Sequence, residues 1–218
     1  MKLIVFDVDG TLVDSQNMIC AAMAQAFAAE GQPVPERRAI LSIVGLSLPE
    51  AVAQLAPALD PAQQDSIVAG YRRAFHTARQ AGHPPLYEGA LDCLDALTRQ
   101  DEWLLAIATG KSRRGLDAMI AAHGLQGRFI SMQTADDHPS KPHPSMLLHI
   151  LSQTGLDARD AVMIGDTSFD MEMARAAGMT GLGVGWGYHS AQMLTGAGAA
   201  LVARDFPALT RAITEWAQ

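Results

Sequence analysis

Short apolar runs that end abruptly in polar residues set the pattern of this chain. Leu3 to Phe6, Leu104 to Ala108, Ala161 to Ile164 and the weaker Gly181 to Val184 are such runs. Continuous apolar runs of this length, without alternation, are what strands buried on both faces show. Phe129 to Met132 predicts one more strand. Helical periodicity follows each of the strong runs, and strands alternating with helices predict an α/β fold: a parallel, Rossmann-like sheet with helices on both faces. In such sheets ligands bind beyond the carboxyl ends of the strands. The three strongest runs end in Asp7-Val8-Asp9-Gly10-Thr11, Thr109-Gly110-Lys111 and Gly165-Asp166-Thr167, which places their polar residues at one shared site.

Between Asp14 and Pro85 the strand-like runs disappear. Ser15 to Glu30 carries Met18, Ile19, Ala22, Met23, Ala26 and Phe27 as a helical stripe and stops at Gly31. Asp14 is its expected N-cap. Ser47-Leu48-Pro49-Glu50 resembles a capping box opening a second helix, and Asp60-Pro61 opens a third that runs towards Gly82. The expected division is therefore a core domain of 1–14 and 86–218, with a small all-helical cap domain, 15–85, inserted after the first strand.

Composition narrows the function. Nearly half of the residues are apolar, 49%, enough for a sizeable core, and the formal charge of −7 argues against nucleic acid as a partner. Small basic clusters (Arg37-Arg38, Arg72-Arg73, Lys111 with Arg113-Arg114) suffice for a small anionic substrate. Cys20 and Cys93 lack metal-ligand spacing and are expected to be reduced thiols. No segment has the length of a membrane span or the form of a leader, so the expected location is cytoplasmic, with no membrane partner. Nothing in the sequence specifies an oligomeric state.

The chemistry starts with Asp7 and Asp9. Residues i and i+2 of a strand share a face, so the two carboxylates converge at the strand end. Like charges placed there require compensation, by a divalent cation or a shared proton.

In order along the chain, Asp7-Val8-Asp9-Gly10-Thr11, Thr109-Gly110, Lys141-Pro142 and Gly165-Asp166-Thr167-Ser168-Phe169-Asp170 resemble the four motifs of the haloacid dehalogenase superfamily. The helical insertion resembles the cap of its phosphoglycolate-phosphatase-like branch. The resemblance implies a Mg²⁺-dependent phosphatase acting on a small phosphorylated metabolite through an aspartyl-phosphate. Asp7 is then the nucleophile, a carboxylate that splits hydrolysis into two easier steps, and Asp9 the proton donor and acceptor. Bringing a carboxylate within about 4 Å of a phosphate dianion costs on the order of 8 kcal/mol at an effective dielectric near 20, so a cation is needed. Mg²⁺ suits an all-oxygen site that touches phosphate. Asp7 and Asp166 are its expected side-chain ligands; the resemblance adds the Asp9 backbone carbonyl, with Asp170 supporting from behind. The Thr109 hydroxyl and Gly110 N–H sit at a strand-to-helix turn that favours anions, and Lys141 supplies a point charge to the transferring group.

Ordinary readings hold elsewhere. Gly181, Gly183, Gly185 and Gly187 do not spell a dinucleotide-binding turn. His138, His143 and His149 read as loop or helix-surface residues, and Arg72 and Arg73 as solvated, with one of the two meeting a substrate carboxylate as the alternative. Asp170 fits a charge at a helix N-terminus equally well. Tyr188-His189 either faces the site or does not, and Gly45 to Leu48 is the cap loop expected, by resemblance, to approach the substrate. Asp9 argues against a dehalogenase, and the absence of lysine from 15–85 argues against a phosphonatase. A sugar-phosphate mutase would share all four motifs, and a non-catalytic phosphate-binding protein would share the fold.

Overall fold

The computed structural model describes residues 1–218. Six strands, β1 (Lys2–Phe6), β2 (Trp103–Thr109), β3 (Ser131–Thr134), β4 (Ala161–Gly165), β5 (Thr180–Val184) and β6 (Leu201–Ala203), form one sheet in the order β3-β2-β1-β4-β5-β6. Every neighbouring pair is parallel. The central strand β1 pairs with β2 on one side and β4 on the other, which is the reversal point of a doubly wound sheet and the place where such folds bind ligands.

Because side chains alternate along a strand, each apolar run feeds two cores. Ile4, Phe6, Leu105, Ile107, Val162 and Ile164 face α5 (Ala90–Thr98), α6 (Arg113–Ala122) and α10 (Phe206–Ala217). Leu3, Val5, Ala106, Ala108, Ala161 and Met163 face α7 (Ser145–Thr154) and α8 (Ser168–Ala176). The unbroken hydrophobicity of the runs is thus a consequence of double-sided burial.

The segment after β1 folds into α1 (Gln16–Ala29), α2 (Arg37–Ser42), α3 (Leu48–Leu55) and α4 (Pro61–Ala81), which pack around a core of their own that includes Met23, Phe27, Ile40, Val52 and Ile67. The chain leaves and re-enters the sheet unit side by side: Val13 bridges Leu86, and the Asp14 N–H donates to the Pro85 carbonyl at 2.9 Å.

Several local expectations change. The third predicted strand lies two residues later than Phe129 to Met132, and β6 had no sequence signal strong enough to call it. Ser15, not Asp14, is the N-cap of α1, and neither it nor Ser47 makes a side-chain cap bond. Ser15 Oγ is engaged in the site instead, while Asp14 accepts a bond from Gln16. Asp60 does cap α4, with Gln63 completing a capping box.

Candidate active site

Asp7 leaves the end of β1, its N–H held by the Ile164 carbonyl of β4 at 2.9 Å. Asp166 follows β4 directly, and Asp170 lies on the first turn of α8. One oxygen from each of these three buried carboxylates lies within 4.8 Å of the others. Lys141, fully buried, donates to Asp7 Oδ1 at 2.7 Å and to Asp170 Oδ1 at 2.6 Å. Asp170 serves at the helix N-terminus, where Oδ2 accepts from the Thr167 N–H and hydroxyl in a capping box, while Oδ1 holds Lys141.

Three carboxylates against one ammonium leave the cluster with excess negative charge, and Asp7 Oδ2 is buried without a partner. Burial, reinforced by the Asp170 and Asp9 charges and opposed by Lys141, pushes the Asp7 carboxyl from 3.8 up to about 6. Burial and the charges of Asp7 and Asp170 likewise hold Asp166 well above the usual carboxylate range. Burial pulls Lys141 down, but Asp170 and Asp7 outweigh it and keep its pKa above the ordinary lysine value. An all-oxygen donor set, excess negative charge and an orphaned carboxylate oxygen fit a hard divalent cation.

Asp9 sits apart from this cluster. Lys111 Nζ bridges both of its oxygens at 2.8 and 2.7 Å, and Ser15 Oγ donates to Oδ1 at 2.6 Å. Asp7, Asp9, Thr109 and Gly110 all line one cavity of about 810 Å³ between the sheet and the four inserted helices. Gly45, Leu46, Ser47 and Leu48 line it from the opposite side. A Cβ on Gly110 would meet the carbonyls of Gly45 and Leu46, so only glycine admits the loop this close. The Ser47 N–H reaches across to Ser140 Oγ at 2.8 Å.

Sequence reasoning missed the groups that hold the acids in place. Thr11 Oγ1 donates to Asp166 Oδ1 at 3.0 Å, and the Tyr188 N–H donates to Oδ2 at 2.8 Å. Gly10, at φ 89°, and Gly187 press their backbones against the Asp166 side chain, where any Cβ would collide. Gly187 belongs to the glycine run that spelled no dinucleotide turn; its signal was a close approach. The Tyr188 hydroxyl lies 3.1 Å from Ser15 Oγ, so this residue faces the site. His189 accepts from the Ser168 N–H and donates to the Ser42 carbonyl, tying α8 to α2. His138 lines the cavity but bonds Ser145 and Gln133, and no histidine joins a metal-binding group.

Comparison with known proteins agrees with this arrangement. The haloacid dehalogenase-like hydrolase family matches residues 4–184. "Probable phosphatase IndB" of Dickeya dadantii is 36% identical over 89% of this chain and 86% of its own length. A phosphoglycolate phosphatase of Haemophilus influenzae is 28% identical over 86% of this chain and 87% of its own. The crystal structure of a hydrolase from Pseudomonas syringae superimposes with a TM-score of 0.89 at 26% identity, covering both chains completely. The parallel sheet, the inserted helices and the clustered acids define an α/β hydrolase with a buried carboxylate centre. The chain belongs to the haloacid dehalogenase-like hydrolases. No helix is long and apolar enough to cross a membrane.

Proposed function

We propose that this protein is a Mg²⁺-dependent phosphatase that hydrolyses a small phosphomonoester through a phosphoenzyme on Asp7. The observation that carries this reading is the Asp7 carboxylate itself, in a residue that lines the cavity: one oxygen is fixed by Lys141, while the other is buried and unpartnered. The names of the relatives, two of them phosphatases, point the same way.

Asp7 and Asp166 would hold the cation, with the Asp9 carbonyl as the further ligand implied by the family and Asp170 supporting from behind through Lys141. When bound, Mg²⁺ supplies the positive charge that lets a carboxylate meet a phosphate dianion. The rest belongs to the chain. An Asp7 oxygen attacks phosphorus as the bond to the leaving oxygen breaks, and Asp9 gives that oxygen a proton, help worth about 10²–10⁴-fold. Water then attacks the phosphoenzyme, Asp9 takes its proton, and the bond from phosphorus to Asp7 breaks to restore the carboxylate. Lys111 and Ser15 orient Asp9 in the meantime. Lys141 places charge beside the transferring group, and Thr109 and Gly110 bind its oxygens.

In this reading 15–85 is a cap domain that closes over the sheet, keeps water out and selects the leaving group. The test is release of phosphate from 4-nitrophenyl phosphate with and without Mg²⁺, in wild type and Asp7→Asn. Mg²⁺-dependent release that falls at least about 10³-fold in the variant supports the assignment. No release by wild type, or an undiminished Asp7→Asn, overturns it. A sugar 1-phosphate in the same assay separates phosphatase from mutase: free phosphate marks the first, a 6-phosphate the second.

A further inference from the structure

Away from the reacting end, the cavity has a second charged region that the proposed chemistry does not use. On α4, Tyr71, Arg72, Phe75, His76 and Arg79 follow at i, i+1, i+4, i+5 and i+8, one face of the helix, and all line the cavity. Arg114 of α6 faces them from the sheet side. Arg79 Nη2 and Arg114 Nη2 lie 3.5 and 3.3 Å from the same nitrogen, His76 Nδ1. Arg79 also reaches the Arg114 carbonyl, at 3.5 Å.

These contacts are long, and no carboxylate comes within ion-pair distance of Arg72, Arg79 or Arg114. In a chain with 23 acidic residues against 16 basic ones, two guanidiniums converge on one imidazole without a counter-ion. Partial burial and the Arg114 charge hold Arg79 below its ordinary pKa, the mark of a cation lacking its anion. Half-buried Arg79 and exposed Arg114 nevertheless meet where α4 comes up to α6.

The distance to the chemistry is set by Lys111. Its Nζ is 2.7 Å from Asp9 Oδ2 and 5.2 Å from the centroid of the Phe75 ring. Arg79 lies one helical turn past Phe75, about 6 Å further along the axis. Between the two ends, Tyr71 and Phe75, stacked at 5.6 Å between centroids, form an apolar wall with Ile19 and Met23. A cavity of about 810 Å³ with this lining exceeds what a two-carbon leaving group fills.

We propose that Arg79 and Arg114, with His76 between them, form an anion subsite for a second carboxylate or phosphate carried by the leaving group. The substrate class is a phosphomonoester with an apolar or aromatic spacer between two anionic ends. Binding of the distal anion relieves the arginine repulsion and ties α4 to α6, so that the correct substrate holds the cavity closed. The proposal rests on the phosphatase reading above.

The test compares three phenyl phosphates that differ only at the para position: carboxylate, phosphate and the neutral carboxamide. The readout is kcat/KM of each anionic compound relative to the carboxamide, a ratio that the fraction of folded enzyme does not affect. In wild type, at least one anionic compound is expected to be favoured about tenfold relative to its ratio in R79Q/R114Q. Whichever anion shows the larger arginine-dependent preference identifies the distal group. Arg73→Gln, exposed on α4 and outside the cavity, should keep the wild-type ratios. Equal ratios in wild type and the double variant overturn the subsite while leaving the phosphatase intact. Release from 4-nitrophenyl phosphate but from none of the three compounds also overturns the subsite, whereas no release from any of the four means that the phosphatase reading fails and takes this one with it.

Discussion

Lys141 is the single positive charge inside the carboxylate cluster, and removing it exposes what the cluster costs. Lys141→Met leaves Asp7 and Asp170 buried and uncompensated, a loss of about 3–5 kcal/mol in the metal-free protein. Urea unfolding in EDTA measures it; an unchanged midpoint contradicts the assignment. The same acids make cation binding depend on pH. Asp7 has its folded pKa raised from 3.8 to about 6, and Asp166 is raised in the same direction. Their contribution to metal-free stability is therefore present below about pH 4 and lost as pH rises through about 6. Mg²⁺ needs the ionised forms, so the difference in Tm between Mg²⁺ and EDTA should be small near about pH 5 and widen through about pH 6 and above. A difference independent of pH would mean that these carboxylates do not bind the ion. Asp7, Asp9 and Asp166 were legible because they follow the ends of buried runs, and Asp170 and Lys141 because they fall in order within the family's motifs. Lys111 and Thr11 were legible as residues of the shared site but not as partners of Asp9 and Asp166, which lie over a hundred residues away, and Ser15 was legible only as a helix start.

At the scale of elements, the site is assembled by close approaches of backbone. Gly110→Ala would drive a methyl into the carbonyls of Gly45 and Leu46 and displace the loop before α3. The expected result is a fall in kcat/KM of about 10²-fold with little change in Tm, since a shift of about 1 Å is enough to misplace reacting groups. Full activity in this variant would show that the loop does not need that position. Sequence reading performed unevenly here, for physical reasons. Strands buried on both faces announced themselves, whereas β6 is a three-residue edge strand with exposed Leu201 and half-buried Val202, too short and too polar in context for a pattern. Ser15 and Ser47 carried N-cap chemistry, yet Ser15 Oγ is committed to Asp9 and Ser47 makes its bond to Ser140 through its backbone N–H. Local propensity yielded to contacts across the cavity.

Across the whole molecule, the doubly wound sheet brings the ends of β1, β2 and β4 together, and the inserted helices roof them with an apolar wall and unpaired arginines. The sheet was readable from the apolar runs and the carboxylate cluster from the ordered motifs. The roof was readable only as helices, because Arg72 and Arg79 become cavity residues through the way α4 is held against α1 and α3, which no local pattern encodes. Under the proposed chemistry, Asp7 carries the phosphoryl group. The most direct measurement uses Asp9→Asn with 4-nitrophenyl phosphate, whose leaving group needs no proton, so that formation of the phosphoenzyme proceeds while its hydrolysis is slowed. Rapid quenching should show a Mg²⁺-dependent burst approaching one equivalent of nitrophenolate and a phosphoryl mass increment on the peptide that contains Asp7. Absence of burst and adduct while wild type turns over, or an adduct on any other residue, would contradict the account.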